Sequence, residues 1–267
     1  MINELHIRLL YGSWTTIDSS WNNYELYSSF WRLYINKYDG AQLIRPDHPP
    51  FPIKKNTIYF IPPWLRILSQ TSQPTPHFYI HFDIVNLTPQ IIQKLFPNPI
   101  LIRSNVNFAN LIKHIDAQHN QPTTSSTSLC RIKALLYDSL AELIRQLPPS
   151  SRNILDQTLS TQRRFAPCLQ YIQDHLSDNL SNSHLAKRCH MSINHFVHAF
   201  KKNIGQSPAQ YVLHQRIARC AQLLILTDNT IDQIAESMGF ANRFHFSRHF
   251  KKIMNIAPAA YRKTIRT

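Results

Sequence analysis

The chain has 267 residues, 43% hydrophobic and 16% charged; this globular composition excludes a disordered or membrane-embedded chain, and at roughly 150 residues per domain it suggests two domains. Lysine and arginine outnumber the acids 29 to 15, for a net charge of +14, and from Thr161 onward they do so 15 to 5, a C-terminal basic excess that points to a polyanionic partner. The longest apolar run, Ile58 to Leu65, contains Pro62 and Pro63 and is too short to cross a bilayer, and the start of the chain, with Glu4 and no apolar stretch before Gly12, does not read as a secretory signal.

In chain order, the first hundred residues read as β structure. Short aromatic and β-branched runs (Phe30–Ile35, Thr57–Ile61, His77–Ile84) alternate with Pro, Asn and Asp, a spacing that suggests a sandwich or a barrel. Gln90–Phe96 and Phe108–Gln118 read as short helices. After the polar stretch Asn120–Ser128, the residues Leu129, Ile132, Leu136, Leu140, Leu143 and Leu147 recur every three or four positions. They form the stripe of a helix of about five turns, stopped by Pro148 and Pro149. That stripe packs on its own β domain, forms a dimer seam, or does both. Domains are expected at 1–147 and 165–267, with 148–164 as linker. The cysteines Cys130, Cys168, Cys189 and Cys220 are widely spaced, without a C-x-x-C pair, and read as reduced thiols.

From Phe165 the pattern is helical, and it repeats. The stretch Phe200–Tyr211 lies over Phe250–Tyr261 at an offset of 50 with six identities; upstream the offset is 49, matching Ser181 to Thr230, Leu185-Ala186 to Ile234-Ala235 and Cys189 to Met238. Each copy reads as a short helix, a tight turn and a longer amphipathic helix, the helix-turn-helix pattern. Thr230 and Gln233 suit a capping box, Gly239 a positive-φ helix end, and Asn242 the cap of the second helix; Ser181 and Ser192 are the expected caps in the first copy. Phe196 and Phe200, like Phe246 and Phe250, turn to the core. The opposite faces carry Asn194, Val197, His198 and Lys201 in one copy and Arg243, Phe244, Ser247, Arg248 and Lys251 in the other. Such a polar, basic helix fits a major groove about 12 Å wide. Pro208 starts a connecting helix to about Leu226, near 28 Å long at 1.5 Å per residue and close to one turn of B-DNA.

The segments Tyr211-x4-Arg216-x3-Cys220-x2-Leu223-Leu224, Ile231-x2-Ile234-Ala235-x3-Gly239-Phe240, Phe246-Ser-Arg248-x-Phe250-Lys-Lys252 and Pro258-x2-Tyr261-Arg262 together resemble the C-terminal signature of the AraC/XylS family of bacterial transcription regulators, over Pro167–Arg262. Three positions depart from it: Cys220 in place of a common Ala, Asn255 in place of a common Gly, and Asn182 in place of an apolar residue. The resemblance implies an α+β protein: an N-terminal cupin-like β-barrel with following helices, then an all-α domain with two helix-turn-helix units. It further implies a small-molecule effector bound by the barrel, and transcriptional activation beside RNA polymerase.

Arg243 and Arg248 suit the O6 and N7 of guanine, Asn194 suits adenine, and Val197 and Phe244 suit a thymine methyl, with lysines on phosphate. In the β domain His77, Tyr79, His81 and Asp83 share one strand face. Trp31, Arg32, Tyr34, Tyr79 and His81 are the expected effector contacts. The pairs His195/His198 and His245/His249 have spacings that zinc also uses, but no Cys or carboxylate completes either set, and the His-x-His followed by Glu of a cupin metal site is absent. No metal, cofactor or catalytic residue is expected. The resulting reading is a cytoplasmic, homodimeric, sequence-specific DNA-binding transcription regulator that is not an enzyme, with double-stranded DNA, RNA polymerase and a small effector as partners and no membrane. The alternatives are a cupin-type metal enzyme fused to a DNA-binding domain, and a regulator without an effector.

Overall fold

The structure, a computed structural model, describes residues 5–85, 87–103, 126–254 and 256–266. It divides into two compact units, Leu5–Asn153 and the residues from Ile154 onward.

In the N-terminal unit, strands β1 (His6–Ile17), β8 (Thr75–Val85), β3 (Trp31–Asn36), β6 (Tyr59–Ile61) and β9 (Ile100–Leu101) form one antiparallel sheet in that order. Strands β2 (Tyr24–Glu25), β7 (Leu68–Thr71), β4 (Ala41–Ile44) and β5 (Phe51–Ile53) form a second. Register decides which residues share a face. Arg32 lies opposite His81, Tyr34 opposite Tyr79 and Asn36 opposite His77, while Leu33 meets Ile80 and Ile35 meets Phe78 on the other side. The polar face turns to the second sheet, since Ile17, Tyr34, Tyr59 and Ile61 share one core with Ala41, Leu43 and Ile53. The apolar face is also covered: Leu33, Ile35, Phe60, Ile80 and Phe82 are fully buried. The expected cupin-like β-barrel takes the form of two facing antiparallel sheets rather than one closed ladder. A closed barrel needs a continuous tilted hydrogen-bond ladder, and the two-residue strands β2 and β9 at the sheet edges do not supply one.

Helix α1 (Pro89–Leu95) is capped by Thr88, whose hydroxyl accepts from the Ile91 amide. The helix expected at Phe108–Gln118 lies outside the described residues. Helix α2 (Ser126–Gln146) carries the leucine stripe; Leu135, Leu136, Leu140 and Leu143 are buried. It packs along β1, where the Tyr137 hydroxyl accepts the amide proton of Ile7 at 3.1 Å and so satisfies a donor of the sheet's edge. The stripe thus packs on its own β domain, while Leu129 at its start is exposed. The stretch 148–164 is helical rather than extended: Pro149 opens helix α3 (Pro149–Gln162), and the division between the two units falls within it.

The second unit continues with α4 (Ala166–Asp174), α5 (Asn182–Arg188), α6 (Ile193–Ile204), α7 (Pro208–Leu226), α8 (Ile231–Ser237), α9 (Arg243–Met254) and α10 (Pro258–Arg266). Phenylalanines form the centre of each repeat. Phe196, Phe200 and Phe165 are fully buried, with Phe200 edge-on to Tyr211 at 5.7 Å; Phe246 and Phe250 are equally buried, with Phe250 edge-on to Tyr261 at 5.4 Å. Cys220 is fully buried in α7, where a small side chain is required, and Asn182 is exposed at the first turn of α5, so neither departure from the family pattern disturbs packing. Asn255 lies outside the described residues. No helix among the described residues is long and apolar enough to cross a membrane.

Candidate nucleic-acid interface

The two helix-turn-helix units share their backbone hydrogen bonds. In the first, the amides of Cys189 and Met191 both donate to the Ala186 carbonyl at 3.1 Å; in the second, those of Met238 and Phe240 donate to the Ala235 carbonyl at 3.3 and 3.0 Å. The residue between each pair is left-handed, His190 at φ 52° and Gly239 at φ 69°, so each helix closes on a Schellman-type turn. Glycine fills that position in one copy only. In the second copy an added Cβ would collide with the Ser177 carbonyl. The offset change from 49 to 50 is the insertion of Ala241 between this turn and Asn242.

The caps follow the sequence with one exception. Ser181 accepts from His184, the Thr230–Gln233 box is closed in both directions, and the Asn242 side-chain oxygen accepts from the His245 amide at 2.8 Å. Ser192 holds the expected cap position of α6, but its hydroxyl makes no capping bond.

On α6, Asn194, His198 and Lys201 are exposed, while Val197 is half-buried against the core. On α9, Arg243, Phe244, Arg248 and Lys251 are exposed and Ser247 is half-buried; Phe244 shows 74% of its surface, an unusual exposure for such a ring. Arg243 is partly engaged, 3.4 Å from Asp232 and stacked on Phe244. Ala241, Asn242, Phe244, His245 and Arg248 line an open concavity at the start of α9. His245 and His249 set their Nε2 atoms 3.1 Å apart, with no third His, Cys, Asp or Glu joining them among the described residues. Partial burial and the neighbouring His245, Arg248 and Lys252 hold His249 below its ordinary value.

Sequence reasoning noted Arg216 and Arg262 only as signature positions; the structure gives them work. From α7, Arg216 donates to the carbonyls of Leu176 and Asp178, both at 2.7 Å, and to that of Gly239 at 3.4 Å. One side chain thereby ties the end of the α4 region to the turn of the second unit. Arg262 donates to Leu224 at 3.1 Å and Asn229 at 2.6 Å, closing the C-terminal end of α7. An arginine one helix turn before the small buried residue Cys220 was the available signal for Arg216.

In the N-terminal unit, Arg32, Tyr34, Tyr79 and His81 come together on the polar inner face, and Trp31 does not. Adjacent strand residues point to opposite faces, so Trp31 packs with Phe60, Phe82 and Phe96 in the apolar core. The inner cluster includes residues the sequence did not single out. Trp21 contacts Tyr34 and His77, the Phe30 and His81 rings lie 4.4 Å apart in a tilted pair, and His77 bonds Asn36 at 2.7 Å. Burial drives His77 down to about 3 and, with the Arg32 charge beside it, holds His81 well below its ordinary value; burial also raises Tyr24, Tyr34 and Tyr79. All five are neutral at pH 7.

Residues 185–264 match the family model described as a helix-turn-helix domain. The MmsAB operon regulatory protein of Pseudomonas aeruginosa is 35% identical over 96 residues, covering 36% of this chain and 31% of that protein. The raffinose operon transcriptional regulatory protein RafR of Pediococcus pentosaceus is 23% identical over 238 residues, covering 87% and 84%. The chain thus spans about a third of the first relative and most of the second. Among solved structures, ToxT from Vibrio cholerae covers 98% of this chain at 16% identity and a TM-score of 0.53; its unsaturated fatty acid-bound form gives the same coverage and score at 13%. The fold shared with ToxT extends over both units, and residues 185–264, with the signature residues in the turns, caps and struts described above, form a helix-turn-helix domain of the kind found in AraC/XylS-type DNA-binding transcription regulators.

Proposed function

We propose that α6 and α9 enter successive major grooves on one side of the duplex, with α7 as the rigid spacer, and that the N-terminal unit binds a small effector that biases this placement. The carrying observation is the pair of repeated helices, each presenting exposed donors opposite a buried phenylalanine pair. Arg248, whose fork fits guanine, reads bases from α9, with Arg243 and Phe244 beside it; Asn194 and His198 read from α6, with Val197 offering only its exposed edge. Lys201 and Lys251, together with Ser247, hold phosphates or groove edges.

The protein works as a cytoplasmic homodimer beside RNA polymerase, as an activator and without enzymatic activity; its similarity to named operon regulators supports this reading. The effector site is the inner face around Arg32, Tyr34, Tyr79 and His81, supported by the fold shared with fatty acid-bound ToxT. An effector acts only if it binds two states of the regulator unequally.

Selection from a random duplex library with the full chain, followed by affinities at base resolution, tests the reading. Two short boxes about one helical turn apart are expected. Arg248→Ala should relax preference at one or two base pairs of one box by about 1–3 kcal/mol each. Uniform weakening across all sequences would place Arg248 on phosphate and remove it from base reading.

A further inference from the structure

Two of the four cysteines meet inside the first helix-turn-helix unit. Cys168, in the first turn of α4, is fully buried in the core that also holds Phe165, Phe196 and Phe200; Cys189, at the end of α5, packs half-buried against that core. The Cys189 sulfur faces both the thiol and the backbone amide of Cys168. Arg164 sits at the same turn, its guanidinium 4.0 Å from the Met191 sulfur. The contact with the Cys168 thiol, its amide and the Arg164 charge together hold Cys189 below the usual thiol range, while the same contact and burial push Cys168 up. A thiol with a neighbouring cation and partial exposure is the reactive kind. The other two cysteines lack this setting, Cys130 exposed on α2 and Cys220 fully buried in α7. The second unit provides an internal comparison. At the offset of 49, Cys189 falls on Met238 and Cys168 on Ile217, which is just as buried, so neither position requires a thiol for packing.

We propose that Cys189 and Cys168 form a reversible disulfide under a hydroperoxide, and that this bond weakens DNA reading by the first unit alone; the effect on DNA rests on the reading of α6 as a groove-entering helix. The Cys189 thiolate attacks one peroxide oxygen, the O–O bond breaks, and the sulfur becomes a sulfenic acid while the departing oxygen takes up the proton that Cys189 gave away. The Cys168 sulfur then attacks that of Cys189: the S–S bond forms, the S–O bond breaks, and the hydroxide leaves as water with the Cys168 proton. Two thiols and one hydroperoxide thus give a disulfide, an alcohol or water, and one further water. Bonding draws the sulfurs closer than their non-bonded contact. Cys189 lies in the turn whose amides close on the Ala186 carbonyl. That turn sets α6 against α5, so the pull reaches the reading helix. A hydroperoxide is small enough to reach a half-buried sulfur, whereas a bulky reagent meets Cys130.

The test uses the full chain in a Cys130→Ser background, with Cys168→Ala and Cys189→Ser variants, hydrogen peroxide as oxidant and dithiothreitol as reductant. After alkylation in denaturant and digestion with trypsin, the oxidised parent should yield residues 165–187 linked to residues 189–201, two hydrogens below their summed mass, and dithiothreitol should separate them. Cys168→Ala should instead hold Cys189 as a sulfenic acid that dimedone traps, and Cys189→Ser should give neither product. Affinities at base resolution on the two-box duplex are then measured before and after oxidation. The oxidised parent should lose about tenfold at the box that responds to Asn194→Ala, keep its preference at the box that responds to Arg248→Ala, and recover on reduction; Cys189→Ser should bind alike before and after. Absence of the linked peptide in the parent would overturn the site. A linked peptide with both boxes weakened equally, or with neither weakened, would overturn the effect on the first unit. A reduced chain that forms the link yet recognises no pair of boxes would keep the thiol site and overturn the groove reading instead.

Discussion

Replacing Arg216 with alanine removes three hydrogen bonds from one charged group to backbone carbonyls, two of them at 2.7 Å and one at 3.4 Å. A hydrogen bond to a charged group contributes about 1.5–3 kcal/mol net. Arg216 is only half-buried, so water can partly replace it; the two short bonds are taken at the lower bound and the long one at nothing. The expected loss is about 3 kcal/mol. For a unit of roughly a hundred residues, about 4 °C per kcal/mol converts this to a fall of roughly 12 °C in the unfolding transition. Function should suffer beyond stability, because the same side chain ties Leu176 and Asp178, ahead of the first reading unit, to Gly239, in the turn of the second. Calorimetry of the full chain should therefore be paired with gel-shift titrations on DNA carrying one box, two boxes, or two boxes moved by a base pair. Arg216→Ala should weaken binding to the two-box site more than to the single box and blunt its dependence on spacing. Arg216→Lys should recover less than half of either effect, since an ammonium cannot reach three carbonyls in one plane. A transition within about 2 °C of the parent, with spacing preference intact, would refute the strut.

The two reading turns give a paired prediction. Gly239→Ala places a side chain at φ 69° against the Ser177 carbonyl and should cost at least about 2 kcal/mol, whereas His190→Gly relieves a left-handed residue and should add about 0.5–1 kcal/mol; denaturant titration measures both. In the N-terminal unit, burial depresses His77 from 6.5 to about 3. The folded state therefore holds fewer protons than the unfolded one; this stability is fully present above pH 6.5 and declines as the pH falls toward 3, by about 1.4 kcal/mol per pH unit. His81 shifts in the same direction and steepens the decline. Melting curves across pH 3–8 should show it, and His77→Gln should flatten it; an unchanged slope would mean that His77 does not titrate with unfolding.

The second unit was legible in the sequence because its signals are local. Capping residues, a glycine at a left-handed position and phenylalanines four apart specify each helix within a dozen residues, and a second copy repeats them. What escaped there lacks a residue signature: His190 takes the glycine's conformation, Ser192 occupies its position without bonding, and the roles of Arg216 and Arg262 lie in carbonyls far along the chain. The β unit was read less well. All six residues of β3 are buried, so the polar-apolar alternation that marks a half-exposed strand is missing. The long β1 lies in the region read as β structure but was not one of the runs singled out, because Gly12, Ser13, Thr15 and Thr16 dilute its hydrophobic pattern. Trp31 stands apart from the inner cluster for a local reason. Its neighbour Arg32 points the other way in any strand, and two-residue periodicity alone separates them. Trp21, Tyr24 and Phe30 join the inner cluster through strand pairing and loop closure over tens of residues, which spacing does not reveal.

The most direct test of the account attaches an iron–EDTA cleavage reagent to the reading helices. Asn194→Cys and Arg248→Cys, each in a Cys130→Ser background because Cys130 is exposed, are bound to the selected duplex and triggered to cut. Cleavage should centre on two positions about one helical turn apart, near 34 Å, on the same face of the DNA. Cuts from both variants at a single position, or on opposite faces, would contradict two grooves being read by one rigidly spaced pair of helices.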